Sequence, residues 1–156
     1  MVDFLIIGGG QNIGDKVVLD LLIKGKIWYG PSIKSGYRLF EVPDDYEFYG
    51  TVYKEEGGNR YIAVSGVRWF TNIDVERPGF MKLKKYEPDK YSFYDGTDII
   101  NIDRTEDIPD YDGLMGVPIT FLDKWNPNQF EVIKRYYENY IDGKSKYYRL
   151  LIRRKK

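Results

Sequence analysis

The sequence predicts an α+β fold in which one β-turn-α unit is followed by a mostly antiparallel, tyrosine-rich mixed sheet. The first observation is an apolar run over residues 2–7, broken only by Asp3, that ends at three glycines, residues 8–10. Such a run predicts a buried strand entering a tight turn. Asn12 suits a helix cap and Gly25 a helix end, and the apolar residues between them recur at helical spacing: Ile13, Val17, Val18, Leu21 and Leu22. This order of elements is typical of a parallel sheet with covering helices.

The second observation is a change of pattern from Tyr37 to Asp74, where short strand-like runs alternate with turn residues. Residues 46–54 and 60–65 flank the turn-forming residues 55–59, which predicts a hairpin, and residues 66–73 predict a further strand. The chain has fifteen tyrosines, which favour strands and also suit stacking against bases or sugars.

The third observation is the end of the chain. Residues 130–140 and 147–152 are strand-like, and Asp142-Gly143 supplies a turn, which predicts a second hairpin. Before it, residues 117–122 form an apolar run that predicts a buried strand.

Residues 87–112 are acidic, with nine carboxylates against Lys90 and Arg104. Their one clear apolar run is 99–102, so most of the segment is predicted to be a solvated loop. The carboxylates lack the spacing of an EF-hand, and we predict no metal site.

Composition narrows the function classes. The 156 residues predict a single domain, 1–156, and 42% hydrophobic residues are enough for a core. The absence of Cys and His excludes cysteine nucleophiles, Ser-His-Asp triads and thiolate or imidazole metal sites. The formal net charge is zero, so contact with nucleic acid would require local patches. No run has the length of a membrane span, and we expect a soluble cytoplasmic protein.

Three motifs have both a functional and a structural interpretation. The glycines at 8–10, with Gly14 near a helix start, resemble a phosphate cradle, but the spacing of a dinucleotide fingerprint is absent, which favours a tight strand-to-helix turn. Asn126-Pro127 begins a stretch that resembles the Asn-Pro-Pro-aromatic motif of amino-methyltransferases, yet the second proline is missing, which favours a turn. The cations after Asp142 suit either phosphate contact or a solvated terminus: Lys144, Lys146, Arg149, Arg153, Arg154, Lys155 and Lys156.

Two stretches, Ser65–Asp74 and Asp112–Ile133, resemble the C-terminal signatures of EcoRI-type adenine-specific DNA methyltransferases. Phe4–Gly30 is similar to the strand and helix after the catalytic motif of that family, and Asp142–Lys155 is similar to its C-terminus. The triple glycine departs from the family pattern, which usually has a single Gly and an Asn at this turn.

The resemblance implies a class I methyltransferase fold and transfer of a methyl group from S-adenosylmethionine to the exocyclic amine of adenine in duplex DNA, within a restriction-modification system. In the family the cofactor loop and the catalytic motif precede the matched region, and neither motif occurs in this sequence. The resemblance therefore predicts the C-terminal fragment of a larger enzyme, inactive alone, with no catalytic residue and no cofactor bound by this chain.

The resemblance also indicates which residues contact DNA. Arg68, Asn72, Lys124 and Asn126 lie in the two matched stretches, and their side chains suit base edges or phosphates. The tail cations Arg153 and Arg154 are expected to position the DNA backbone. Trp69 and Trp125 suit base stacking, with a core position as the alternative.

The expected partner is double-stranded DNA, bound through the parent enzyme. A sheet cut through its middle leaves an unpaired edge, which predicts self-association of the fragment. Two alternatives stay open: a module that docks on a separate methyltransferase or restriction subunit, and a small nucleotide-binding protein that uses the turn of residues 8–14.

Overall fold

Strands dominate the structure, and they belong to two units of the chain. The computed structural model describes residues 2–31, 36–48 and 52–156, and backbone contacts divide the chain into Met1–Val75 and Glu76–Lys156. Among the described residues no helix is long and apolar enough to span a membrane.

The first unit has two small sheets and one helix. The strands are β1 (Leu5–Gly9), β2 (Trp28–Tyr29), β3 (Tyr37–Val42), β4 (Val52–Glu56), β5 (Asn59–Ser65) and β6 (Val67–Thr71), and the helix α1 spans Lys16–Ile23. One sheet has the order β1-β6-β2 and the other β3-β5-β4, and all strand pairs are antiparallel. Of the strand pairs described in this unit, β4–β5 is joined by a tight turn, whereas β1–β6, β2–β6 and β3–β5 pair strands that do not follow one another in the chain.

The prediction of a buried first strand in a parallel sheet is wrong. β1 pairs antiparallel with β6 at the edge of its sheet, and Leu5, Ile6 and Ile7 are 55%, 56% and 43% exposed. Because side chains alternate between the two faces of a strand, exposure at three consecutive positions means that neither face of β1 is covered within this unit. A continuous apolar run does not distinguish this arrangement from a strand buried on both faces.

The turn after β1 is a 3-10 helix, Gly10–Gly14, and α1 starts only after it. The predicted cap at Asn12 is therefore wrong, and Asp15 caps α1 by accepting hydrogen bonds from the backbone N–H groups of Val17 and Val18 at 2.8 and 3.3 Å. Gly25, with φ +63°, follows the helix as predicted.

The predicted hairpin between residues 46–54 and 60–65 is confirmed as the β4–β5 pair. Gly57 and Gly58 both have positive φ, as the tight turns that fit twisted hairpins require. Residues 46–48 do not belong to β4, and 49–51 lie outside the described residues. The predicted strand at 66–73 is confirmed as β6, slightly shorter.

The second unit has a four-stranded sheet and a small hairpin. Its strands are β7 (Ile100–Asn101), β8 (Leu114–Pro118), β9 (Phe130–Tyr136), β10 (Tyr140–Ile141), β11 (Lys144–Ser145) and β12 (Arg149–Arg154). The sheet order is β7-β8-β12-β9, with β7 parallel to β8 and the other pairs antiparallel. Three 3-10 helices, Pro88–Lys90, Thr105–Asp107 and Ile119–Asp123, lie between the strands.

The predicted terminal hairpin is confirmed, with more detail than the sequence shows. β9 pairs with β12, and β10 pairs with β11 nearer the turn, where Asp142 and Gly143 have φ of 51° and 71°. The strand predicted at 117–122 is mostly wrong, because β8 ends at Pro118 and a 3-10 helix follows. Proline has no N–H to donate to a neighbouring strand, and burial of Phe121 and Leu122 produces the apolar pattern without a strand.

More than half of residues 87–112 are exposed and most of the segment lies outside strands, as predicted, but it also contributes buried apolar residues to the core. Tyr94, Ile100, Ile102 and Ile108 are at most 2% exposed and belong to the core of the second unit. Ile100 and Ile102 lie in the apolar run at 99–102, whereas Tyr94 and Ile108 stand outside it and form no periodic pattern, because irregular backbone buries them one at a time. The α+β class with mostly antiparallel strands is confirmed, whereas the likeness to part of a class I methyltransferase sheet stays a prediction.

A polar cluster joins the acidic segment to β12, with Tyr94, Asn101 and Arg149 buried and Asp103 at its exposed edge. The hydroxyl of Tyr94 donates to Asn101 Oδ1 at 2.7 Å, and Arg149 Nη2 donates to Asp103 Oδ1 at 2.9 Å. Burial raises the pKa of Tyr94 to about 12, against the opposing positive charge of Arg149. Burial also acts to raise the pKa of Asp103, but the hydrogen bond with Asn101 and the charges of Lys146 and Arg149 outweigh it and lower that pKa.

Gly10 and Gly9 provide a matched test of the turn after β1. A Cβ added at Gly10 would lie 2.9 Å from the carbonyl oxygen of Gly66, whereas one at Gly9 would meet no atom closer than 3.6 Å. Gly10→Ala is expected to lower the free energy of unfolding by about 1–3 kcal/mol through this overlap. Gly9→Ala should change it by less than about 1 kcal/mol. Urea unfolding of both variants measures the difference, and equal stabilities would contradict the close approach.

Candidate functional site

The structure places the predicted DNA-contacting residues of the first unit in contacts within that unit. Arg68 is 9% exposed on β6, its Nη1 donates to the carbonyl of Val67 at 2.9 Å, and its guanidinium carbon lies 5.8 Å from the centre of the Tyr29 ring. Asn72 accepts from the N–H of Phe4 at 2.8 Å and donates to the carbonyl of Val2 at 3.0 Å. Both side chains therefore hold backbone or neighbouring rings in place.

Trp69 and Trp125 are half-buried, which is intermediate between the exposed stacking position and the core position that the sequence left open. A Cβ at Gly30 would lie 2.8 Å from Trp69 Cβ, so the backbone passes close to that tryptophan. The indole N–H of Trp125 donates to the carbonyl of Phe130 at 2.8 Å. Both tryptophans thus make contacts within their own unit, and each residue remains partly accessible.

Lys124 and Asn126 are neighbours with different environments. Lys124 is exposed and forms an ion pair with Glu106 at 2.5 Å. Asn126 is 9% exposed, donates to the carbonyl of Pro78 at 2.7 Å and accepts from the N–H of Asn128 at 2.8 Å. Asn126 therefore closes the turn that the sequence indicated and joins it to residue 78.

The cations of the tail are largely matched by carboxylates. Arg153 pairs with Glu131 at 2.8 Å, and Arg154 pairs with Asp110. Lys156 lies 3.7 Å from Asp112. Neighbouring acids thus offset much of the positive charge that made the tail a candidate for phosphate contact.

A cavity of about 800 Å³ in the second unit is lined by equal numbers of positively and negatively charged side chains. Lys84 pairs with Asp107 at 2.5 Å, and Lys90 pairs with Glu87 at 3.0 Å. The charged residues around it are four lysines and four acids: Lys82, Lys84, Lys85, Lys90, Glu87, Asp103, Glu106 and Asp107. Such a lining has no net attraction for either a phosphate or a cation.

The glycine turn does not form a cradle for a cofactor. The space above Gly8 is taken by the Phe70 ring and Asn12, and the space above Gly10 by the carbonyl of Gly66. The carboxylate of Asp15 already accepts the first backbone donors of α1, where a phosphate would bind. Within residues 2–31, 36–48 and 52–156, no three Asp or Glu side chains converge as a metal site would require.

Cations and aromatic rings meet at the end of the β9–β12 hairpin, which the sequence did not single out. The guanidinium carbon of Arg135 lies 4.1 Å from the centre of the Tyr148 ring and 4.7 Å from that of Tyr137. Tyr137 and Tyr147 are 65% and 84% exposed. The sequence does contain a sign of this cluster, which is the density of Tyr, Lys and Arg over residues 134–148, but the same residues are also typical of a strand.

Asn126 and Lys124 give a matched test of their structural roles. Asn126→Ala leaves a carbonyl and an N–H without their partner, and we expect the free energy of unfolding to fall by about 1–3 kcal/mol. Lys124→Ala removes one exposed ion pair and should cost less than about 1 kcal/mol. Chemical denaturation measures both changes. An Asn126→Ala variant as stable as the unchanged chain would show that its contacts do not hold the turn.

Comparison with known proteins gives the family. A sequence model described as "Adenine-specific methyltransferase EcoRI" matches residues 2–155. The chain is 42% identical to the type II methyltransferase M.EcoRI of Escherichia coli, over 98% of this chain and 50% of that protein. It is 33% identical to the type II methyltransferase M.MpnI of Mycoplasma pneumoniae, over 83% of this chain and 43% of that protein.

No solved structure matches the chain. The chain spans about half the length of the curated relatives that it matches. The family match nevertheless covers nearly all of its residues, as the resemblance of the stretches at 65–74 and 112–133 indicated. The chain therefore belongs to the family of EcoRI-type adenine-specific methyltransferases.

Proposed function

We propose that this chain is the C-terminal scaffold and DNA-recognition part of an S-adenosylmethionine-dependent adenine-N6 DNA methyltransferase of a restriction-modification system. The observation that carries the proposal is the family match over residues 2–155, on a chain that spans half of M.EcoRI. Double-stranded DNA is the substrate of such an enzyme, and the flipped adenine would be held by the other half of the fold.

In this proposal, the residues that bind the cofactor and catalyse methyl transfer belong to the other half of the enzyme. S-adenosylmethionine would supply the methyl group, and the glycine turn offers no cradle for it, since Phe70, Asn12 and Gly66 fill the space above that turn. The sequence also lacks an Asn-Pro-Pro-aromatic motif to accept hydrogen bonds from the adenine amine. We therefore assign no catalytic residue, and the role of this chain is to support the sheet and to contact DNA.

A chimera tests this role. The part of M.EcoRI that matches this chain is replaced by this chain, and the chimera is compared with M.EcoRI for cofactor binding and for methyl transfer to adenine in plasmid DNA. We expect transfer by the chimera and none by this chain alone, because the two halves supply different functions. A chimera that binds S-adenosylmethionine but methylates no adenine would contradict the proposal. Methylation by the chain alone would contradict the absence of catalysis.

The exposed edge of β1 supports a second proposal, which is that the chain self-associates. β1 has apolar residues exposed on both faces and pairs with β6 alone among the described strands, so its outer edge offers free N–H and C=O groups to another strand. A separate methyltransferase or restriction subunit would fit the same edge and would then compete with self-association. The capped start of α1 makes a nucleotide-binding role the weaker alternative.

Light scattering over a range of concentrations tests self-association. We expect the chain to form dimers or larger assemblies, and Ile6→Lys to shift it toward the monomer by placing a charge on the edge strand. Val17→Lys is the matched control, because Val17 is 66% exposed but lies on α1. A monomeric mass for the unchanged chain at high concentration would rule out the proposal.

A further inference from the structure

The end of the β9–β12 hairpin, residues 134–148, carries two lysines, Lys134 and Lys144, whose charge no ion pair offsets among the described residues. It has four cations and two acids. Among the described residues, no carboxylate forms an ion pair with Lys134 or Lys144, and both are exposed. This distinguishes them from the tail, where Arg153 and Arg154 are paired.

Exposed tyrosines lie among these cations. Tyr137, Tyr140 and Tyr147 are 65%, 49% and 84% exposed. Large aromatic rings left in water at three positions of one hairpin contribute little to the folding of the chain, since most of their surface is not buried. Rings of this kind are suited to stack on a planar partner.

The hairpin end is held in one conformation by buried and bridging contacts. Both oxygens of Asp95 accept from the backbone of the turn, from the N–H of Asp142 at 2.9 Å and from that of Gly143 at 2.8 Å. Asn139, 8% exposed, donates to the carbonyl of Lys146 at 2.5 Å and accepts from its N–H at 2.7 Å through its own carbonyl. A rigid support lowers the entropy lost when the exposed rings bind a partner.

We propose that the hairpin end is a DNA-contacting surface on which Tyr137 and Tyr147 stack on unstacked bases of a strand, while Lys134 and Lys144 contact its phosphates. Tyrosine faces among lysines are the combination by which proteins hold single strands without reading sequence. Arg135, stacked on Tyr137 and Tyr148, adds positive charge beside the rings. The inference rests on the proposed function only in that DNA is the ligand.

Binding of the chain to a labelled single-stranded oligonucleotide and to the matching duplex, followed by fluorescence anisotropy at low salt, tests the surface. The double variant Tyr137→Ser/Tyr147→Ser should weaken single-strand binding by on the order of tenfold or more, because each stacked ring lost removes several-fold in affinity. Tyr137→Phe/Tyr147→Phe retains both rings and should bind like the unchanged chain. Duplex binding should change less, since paired bases hide their faces.

Tyr37→Ser is the control, because Tyr37 is 59% exposed but lies on β3 in the first unit. If the serine double variant binds the single strand as tightly as the unchanged chain, the hairpin proposal is overturned, and DNA contact elsewhere stands. If the unchanged chain binds neither oligonucleotide, the hairpin proposal is likewise overturned. Neither result would contradict the proposed methyltransferase role, because the chimera experiment measures methyl transfer independently of this surface.

Discussion

Arg149 is buried at the first residue of β12, the strand that pairs with both β8 and β9, and the second unit is organised around its charge. A buried guanidinium needs partners, and Asp103 at 2.9 Å and the carbonyl of Tyr147 at 3.1 Å provide them. The Asp103 side chain is 61% exposed, so solvent screens part of this pair, and removing it costs less than the loss of a fully buried partner. Asp103 closely follows β7, which pairs parallel with β8, and the hydroxyl of Tyr94 donates to Asn101 within β7.

Contacts of the acidic segment also hold the end of the β9–β12 hairpin in place. Lys146 lies 3.7 Å from Asp103, and its backbone is held by Asn139, so the chain that leaves the hairpin and enters β12 is fixed on both sides. Asp95, which follows the buried Tyr94, holds the turn itself. The acidic segment therefore acts as a support for the hairpin. A ring fixed in this way can stack on a partner without first losing backbone freedom.

The sequence predicted those features that depend on local chemistry. Gly57-Gly58 and Asp142-Gly143 identify tight turns because few other residues adopt positive φ, and both hairpins follow from them. The exposure of β1 was not predictable, since Leu5, Ile6 and Ile7 would have the same apolar pattern beneath a covering layer. The contacts that the proposed site residues make within the chain were not predictable for another reason. The side chains of Asn126 and Asn72 can hydrogen-bond a base edge or a backbone group equally well. Their backbone partners, at Pro78 and Phe4, are distant in sequence, so the sequence alone does not show which contact forms.

Charge balance explains why aromatic rings would matter for a chain of this composition. With no formal net charge, the protein has no overall field to attract DNA, and its tail cations are held by Glu131, Asp110 and Asp112. Phosphate contacts alone would then be few and readily screened by salt. Stacking depends on surface contact and needs no net charge. Under this proposal, tyrosines, which first indicated strands, would have a second use where the sheet ends and their rings remain in water, as at Tyr137 and Tyr147.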